Sequence, residues 1–198
     1  MTNQEIEIMF LNINIDDIRE KLKQLGAELI IPMRKMRRVA LRTHEMRNNK
    51  KGAFVRVRDE GNKITLTYKC LNKESLYMDE YEVIVNDFDR AVDFAKALLE
   101  GNLATNVFQE SKREEWILNN AKVCIDVWPW INPYLEIEGK SEKEIMATSK
   151  QLGFNWSDGI FGGANNVHKA VYPKFKESDL KLSDFNIKFG DPKPEIFC

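Results

Sequence analysis

The feature that most constrains this chain is an alternation of charged and apolar residues, repeated in short segments over most of its length. Successive side chains of a strand point to opposite faces, so residues two apart share a face. Glu5 and Glu7 share one while Ile6, Ile8 and Phe10 share the other; Arg56 and Arg58 oppose Val55 and Val57; Thr65, Thr67 and Lys69 oppose Ile64, Leu66 and Tyr68. Downstream, Glu80 and Glu82 oppose Tyr81 and Val83, Arg113 opposes Trp116 and Leu118, Asp126 opposes Ile125 and Val127, and Glu136 and Glu138 oppose Leu135 and Ile137. Strands are therefore expected over Glu5–Leu11, Phe54–Arg58, Ile64–Lys69, Glu80–Val85, Arg113–Leu118, Val123–Trp128 and Tyr134–Glu138, with Arg38–Thr43 a further candidate. Turn residues Asp59, Glu60, Gly61 and Asn62 make Phe54–Lys69 a hairpin. Three helices are expected: Asp16–Leu25, Asp87–Glu100, and one opening at the Ser141/Glu144 capping box and ending at Gly153.

A half-buried strand with a solvated outer face also alternates, and for any one segment that reading stands. The segregation of types argues for more: E-x-E recurs on three strands, at 5/7, 80/82 and 136/138, and R-x-R lies at 56/58. Two carboxylates about 5 Å apart at an effective dielectric near 20 repel by about 3 kcal/mol, so such a cluster needs cations or protons between its members. A sheet curled on itself would let the charges line a wet interior and turn its apolar face to the helices. Oxygen-only ligands select Mg²⁺ or Mn²⁺, and the Arg and Lys residues suit phosphate oxygens.

Taken together, Glu5-Ile6-Glu7, Arg56/Arg58, the L-T-x-K of Leu66–Lys69, Glu80/Glu82, Arg113 before Trp116, and Asp126 through Glu136-Ile137-Glu138-Gly139 resemble the CYTH superfamily over roughly residues 5–172. These are the triphosphate tunnel metalloenzymes, including class IV adenylyl cyclases and thiamine triphosphatases. The resemblance implies an α+β fold: an antiparallel eight-stranded β-barrel forming a triphosphate tunnel, with helices packed outside. It implies Mg²⁺ or Mn²⁺ on Glu5, Glu7, Glu80, Glu82, Asp126, Glu136 and Glu138, and a triphosphate gripped by Arg56, Arg58, Lys69 and Arg113. Lys112 and Arg38 are added as substrate-binding candidates, and Glu5 and Glu7 are counted with the four cations as catalytic. The substrate would be ATP or another nucleotide, thiamine triphosphate or inorganic triphosphate. The outcome would be hydrolysis, or cyclisation of ATP to cyclic AMP with release of pyrophosphate.

Two departures qualify the match. The family's E-x-E-x-K has Met9 in place of lysine, which motivates an alternative, a catalytically weakened nucleotide- or polyphosphate-binding protein. The family's K-x-R reads Ser111-Lys112-Arg113, so Lys112 faces away from Arg113 unless a bulge turns it. A third reading, a barrel whose ionic faces only solubilise it, also stands at this stage.

Composition sets the remaining bounds. Thirty Lys and Arg against thirty-one Asp and Glu leave a net charge of −1, so no global basic field recruits nucleic acid or an anionic membrane. Cys70, Cys124 and Cys198 form no C-x-x-C pair and read as reduced thiols. No apolar run approaches the roughly 18 residues of a spanning helix and no basic-then-apolar leader is visible, so a cytoplasmic protein is expected. A homodimer is left open. His44 and His168 read as surface residues, Gly159–Gly163 as a loop, and Lys50-Lys51 as an exposed connection. The chain reads as one domain over 1–175 and a C-terminal extension over 176–198.

Overall fold

A computed structural model of the chain describes residues 3–4, 6–48, 52–71, 78–99 and 102–198. The strands in chain order are β1 (Asn3–Gln4), β2 (Ile6–Phe10), β3 (Glu28–Thr43), β4 (Phe54–Asp59), β5 (Ile64–Leu71), β6 (Met78–Val85), β7 (Leu103–Leu118), β8 (Ala121–Val127) and β9 (Tyr134–Gly139). The helices are α1 (Ile15–Gln24), α2 (His44–Asn48), α3 (Phe88–Leu98), α4 (Glu142–Gln151), α5 (Gly163–Val171) and α6 (Pro173–Glu177). The class is α+β, and the paired strands run antiparallel. Two strands far exceed the expectation: β3 begins ten residues before Arg38, at Glu28, and β7 ten before Arg113, at Leu103.

Two compact units share these elements, with β3 and β7 contributing to both. In the first, which takes Lys35–Glu110 and Ser183–Lys188 together with β1, the strand order is β1-β6-β5-β4-β3. The β4–β5 hairpin closes as its turn residues require: Glu60 N donates to Lys63 O at 2.9 Å, Gly61 N donates to Asp59 Oδ1 at 2.9 Å, and Gly61 takes φ +86°. Alternation sends Val39, Leu41, Val55, Val57 and Leu66 to one face, where Phe88, Ala91, Val92 and Ala95 of α3 cover them. Asp87 caps α3 by accepting from Arg90 N at 3.0 Å. Residues 183–188 lie along β7: Ile187 N donates to Phe108 O at 3.0 Å and Glu110 N to Ile187 O at 2.7 Å.

In the second unit β7, β8, β9 and β2 follow in that order. Their apolar face brings Trp116, Leu118, Val123, Ile125, Leu135, Ile137, Ile8 and Phe10 against Ile18 and Leu22 of α1 and Ile145 of α4. Ser141 Oγ caps α4 by accepting from Glu144 N, while the Glu144 carboxylate accepts from Lys140 N. The loop at Gly159 pairs with β2 through Met9 N to Ile160 O and Ile160 N to Met9 O, both 2.9 Å. A Cβ on Gly159 would stand 2.1 Å from Ile8 Cδ1 and 2.5 Å from Cγ1, so any side chain there would push Ile8 from its place.

His168 corrects its expectation. It lies on α5 with no exposed surface, edge-on to Trp128 at 5.6 Å and to Phe197 at 6.0 Å. Phe197 is itself fully buried and also packs on Trp130, Tyr172 and Phe175. The last residues are thus folded onto α5 and α6.

Candidate functional site

Register gathers the sequence candidates into one ionic face in each unit. In the first, Arg38 stands directly opposite Arg58, Ala40 opposite Arg56, Arg56 opposite Thr67, Thr67 opposite Glu82 and Lys69 opposite Glu80. Lys69 Nζ pairs with Glu80 Oε2 at 2.8 Å, Arg56 Nη2 reaches Glu80 Oε1 at 3.5 Å, and Thr67 Oγ1 donates to Glu82 Oε2 at 3.1 Å. Lys63 adds a contact to Glu82 at 3.7 Å, and Arg58 pairs with Glu60. Glu80 and Glu82 therefore balance neighbouring cations. Glu60, which sequence reasoning took for the hairpin turn alone, and Lys63 complete the network.

Burial separates this face from an ordinary solvated one. Arg56 is 9% exposed and Thr65 and Thr67 are 0%, whereas Tyr81 and Val83, on the opposite side of β6, are 56% and 57% exposed. A face that served only to dissolve the protein would show the reverse. Arg38 opposite Arg58 places like charges across a strand pair, a repulsion that the Glu60 carboxylate on Arg58 offsets.

The second unit's face carries more carboxylates. Glu7 stands opposite Glu138, Met9 opposite Glu136, Glu138 opposite Lys122, Glu136 opposite Cys124 and Arg113 opposite Asp126. Arg113 grips Asp126 with two bonds, Nε to Oδ1 at 2.9 Å and Nη2 to Oδ2 at 2.7 Å, and Nη2 also reaches Glu136 Oε1 at 2.9 Å. Burial alone would lower the Arg113 pKa, but the charges of Asp126 and then Glu136 outweigh it and hold the guanidinium well above its ordinary value. Asp126 is 0% exposed, so this triad depends on its own pairing rather than on water. Lys122 pairs with Glu138, and Arg34 with Glu115. Burial pushes the Cys124 thiol well up, which makes it an inert core group.

Lys122 and Glu115 were missed by the sequence reading, although continuing the same period from Asp126 and Arg113 by two-residue steps reaches both. Lys112 stands opposite Val127 in unbroken register, and its ammonium lies 5.2 Å from the Phe189 ring, on the face away from Arg113. Glu114 also faces away: it accepts from Arg19 Nη2 at 2.7 Å and from Trp116 Nε1 at 2.8 Å beside α1. Glu5 falls outside the described residues, as do Lys50 and Lys51.

The donors can be tested against a divalent ion. Among the described residues no three His, Cys, Asp or Glu side chains converge as a metal cluster. Asp126 and Glu136 share Arg113 and Glu138 pairs with Lys122, while Glu7 and Glu138, juxtaposed in register, form the carboxylate pair suited to the task. An all-oxygen pair fits Mg²⁺ or Mn²⁺, since Mg²⁺ is commonly held by one or two carboxylates and completes its shell with water and phosphate oxygens.

Comparison with known proteins agrees with the geometry. The family model for the CYTH domain matches residues 3–153. A solved structure from Pyrococcus horikoshii superposes with a TM-score of 0.64 at 24% identity, over 79% of this chain and 94% of that one. A protein of Vibrio parahaemolyticus, provisionally assigned as an adenylate cyclase, gives 0.66 at 13% identity over 83% and 97%. A provisional adenylyl cyclase from Hippeastrum, described as having a dominant triphosphatase activity, gives 0.54 at 15% over 82% and 93%. At these identities the likeness is one of fold. No curated protein sequence matches significantly. No helix among the described residues is long and apolar enough to cross a membrane.

Proposed function

This chain belongs to the CYTH domain family, and from that premise we propose that it is a divalent-metal-dependent enzyme acting on a triphosphate. The observation that carries the proposal is the half-buried cationic face of the first unit, where Arg38 and Arg58 stand opposed beside Arg56 and Lys69. Such a face suits a polyanion, which would exchange with Glu60 and Glu80 on the same cations, and arginine forks match phosphate oxygens two at a time. Arg56, Arg58 and Lys69 bind and orient the phosphates and offset charge that develops as a phosphorus–oxygen bond breaks. Glu80 holds Lys69 and Arg56 in place, and Thr67 fixes Glu82.

In the second unit, Arg113 acts on phosphate while Asp126 and Glu136 fix its orientation. Glu7 and Glu138 hold the ion, with Glu5 beside Glu7 in sequence. When bound, Mg²⁺ or Mn²⁺ supplies Lewis-acid polarisation of a phosphoryl oxygen. Attack by water on the terminal phosphorus gives a triphosphatase; attack by the ribose 3′-hydroxyl on the α-phosphorus gives a cyclase. The substrate is a free small molecule, ATP or another nucleotide, thiamine triphosphate or inorganic triphosphate.

A second reading, binding without efficient turnover, is favoured by Met9. It is 0% exposed, stands opposite Glu136 and is sealed by Ile160, so a thioether fills the place where the family carries an ammonium. One experiment separates the two: incubation with Mn²⁺ and each triphosphate, assaying phosphate and cyclic nucleotide, for the native chain, Glu136→Gln and Met9→Lys. Turnover lost in Glu136→Gln supports the enzyme. Tight binding without turnover, with a large gain in Met9→Lys, supports the binding protein.

A further inference from the structure

The carboxylate pair assigned to the metal already carries a cation of its own. Glu7, Glu138 and Lys122 stand in one row across β2, β9 and β8, each directly opposite the next. Lys122 Nζ contacts Glu138 Oε2, an oxygen shut off from solvent, and both side chains are partly buried. On its other side Lys122 stands opposite Ile117, so Glu138 is the carboxylate that register offers it. Burial lowers the Lys122 pKa, and Arg113 adds to that, but the charge of Glu138 chiefly outweighs both and holds the ammonium protonated.

Glu7 is placed by a different device. Its Oε1 lies 3.5 Å from where a Cβ on Gly163 would stand, at the first residue of α5, so the carboxylate sits beside the positive end of that helix. Like charges directly opposite destabilise a strand pair. Lys122 offsets that repulsion at Glu138, and the start of α5 offsets it at Glu7.

We propose that Lys122 is a tethered competitor of the divalent ion: its ammonium occupies a Glu138 oxygen that the ion needs, and the ion binds by displacing it. Lys122 has this role only where Glu7 and Glu138 are the metal ligands, as proposed above. One oxygen cannot serve both cations at full strength, and an ammonium on the same chain competes at a fixed, high local concentration. The pair therefore takes up its ion only above a threshold that Lys122 sets. The row of Lys122 adjoins the row of Met9, Glu136 and Cys124, so the displaced ammonium stays on the face that lacks one at Met9.

The test is titration of the full chain with Mn²⁺, without nucleotide, counting unbound Mn²⁺ by electron paramagnetic resonance and recording the melting temperature at each concentration. It uses the native protein, Lys122→Met, Lys122→Arg and Glu7→Gln. Lys122→Met should bind Mn²⁺ about tenfold more tightly than the native protein. Its metal-free form should melt lower, and Mn²⁺ should close that gap. Lys122→Arg should bind about threefold more weakly, because a guanidinium fork grips a carboxylate at two points. A Lys122 that serves the fold alone would lower the melting temperature and leave Mn²⁺ affinity unchanged, which overturns the proposal. Should Lys122→Met fail to fold, Lys122→Arg reads the same competition, and native affinity in that variant overturns it too. Glu7→Gln separates the two levels. Mn²⁺ that depends on Glu7 but binds Lys122→Met no more tightly removes the competitor and leaves the metal ligands standing. Mn²⁺ binding indifferent to Glu7→Gln removes both.

Discussion

Replacing His168 with phenylalanine should change how the protein responds to acid. His168 Nδ1 lies 2.8 Å from Ala164 O, which marks it as the protonated nitrogen of a neutral ring. Nε2 is buried with no hydrogen-bond partner, among aromatic rings. A second proton there would charge an enclosed group, and burial accordingly lowers the pKa from 6.5 to about 4. Because the folded value lies below the unfolded one, the unfolded chain takes up the proton first as pH falls. The stabilisation is complete above about pH 6.5, declines between there and about pH 4, and is level below. A separation of about 2.5 pH units at about 1.4 kcal/mol each is about 3.5 kcal/mol, of which about 2.5 is lost by pH 4.5. Urea unfolding of native protein and His168→Phe at pH 7 and pH 4.5 isolates this component, since the carboxylates titrate in both. The native protein should lose about 2.5 kcal/mol more than the variant. Parallel losses would refute the buried neutral imidazole.

Two further perturbations probe other parts of the molecule. Arg113→Gln leaves Asp126 and Glu136 buried without their shared guanidinium and should cost about 3–5 kcal/mol in thermal or denaturant unfolding, with Mn²⁺ restoring part of the loss; a variant that melts like the native protein would exclude a buried triad. Gly159→Ala drives a methyl into Ile8 and should cost about 1–3 kcal/mol, with faster exchange of the Met9 amide; unchanged exchange would mean that the loop yields without releasing β2.

The alternation of single residues made the ionic faces legible, because charge on a strand has to be repeated at every second position. Where that repetition falters, the reading stopped. The first half of β7 places Thr105, Val107, Gln109 and Ser111 on the face that Arg113 continues, and these buried neutral residues carry no charge signature. The first half of β3 alternates too weakly to separate it from a connecting segment. Met9, Asp126 and Glu136 were placed correctly on a face, but that Arg113 would hold both carboxylates depends on side-chain reach across three strands, which no spacing encodes. His168 was misjudged because α5 opens on Gly163, Ala164, Asn165 and Asn166, and two asparagines and a glycine give little helical signal. The residues after Tyr172 lack any period, yet Ile187 and Phe197 are completely buried, each by contacts distant in sequence.

The pairing of Ile160 with Met9 has a consequence for the protein in a crowded solution. β2 ends the strand order, and a terminal strand of this kind offers unpaired amides and carbonyls as a template on which another chain can add. Two backbone bonds from a glycine loop occupy that template at Met9, and the tight seat of Gly159 against Ile8 keeps the loop there. The loop thus serves as an intramolecular guard against edge-to-edge aggregation.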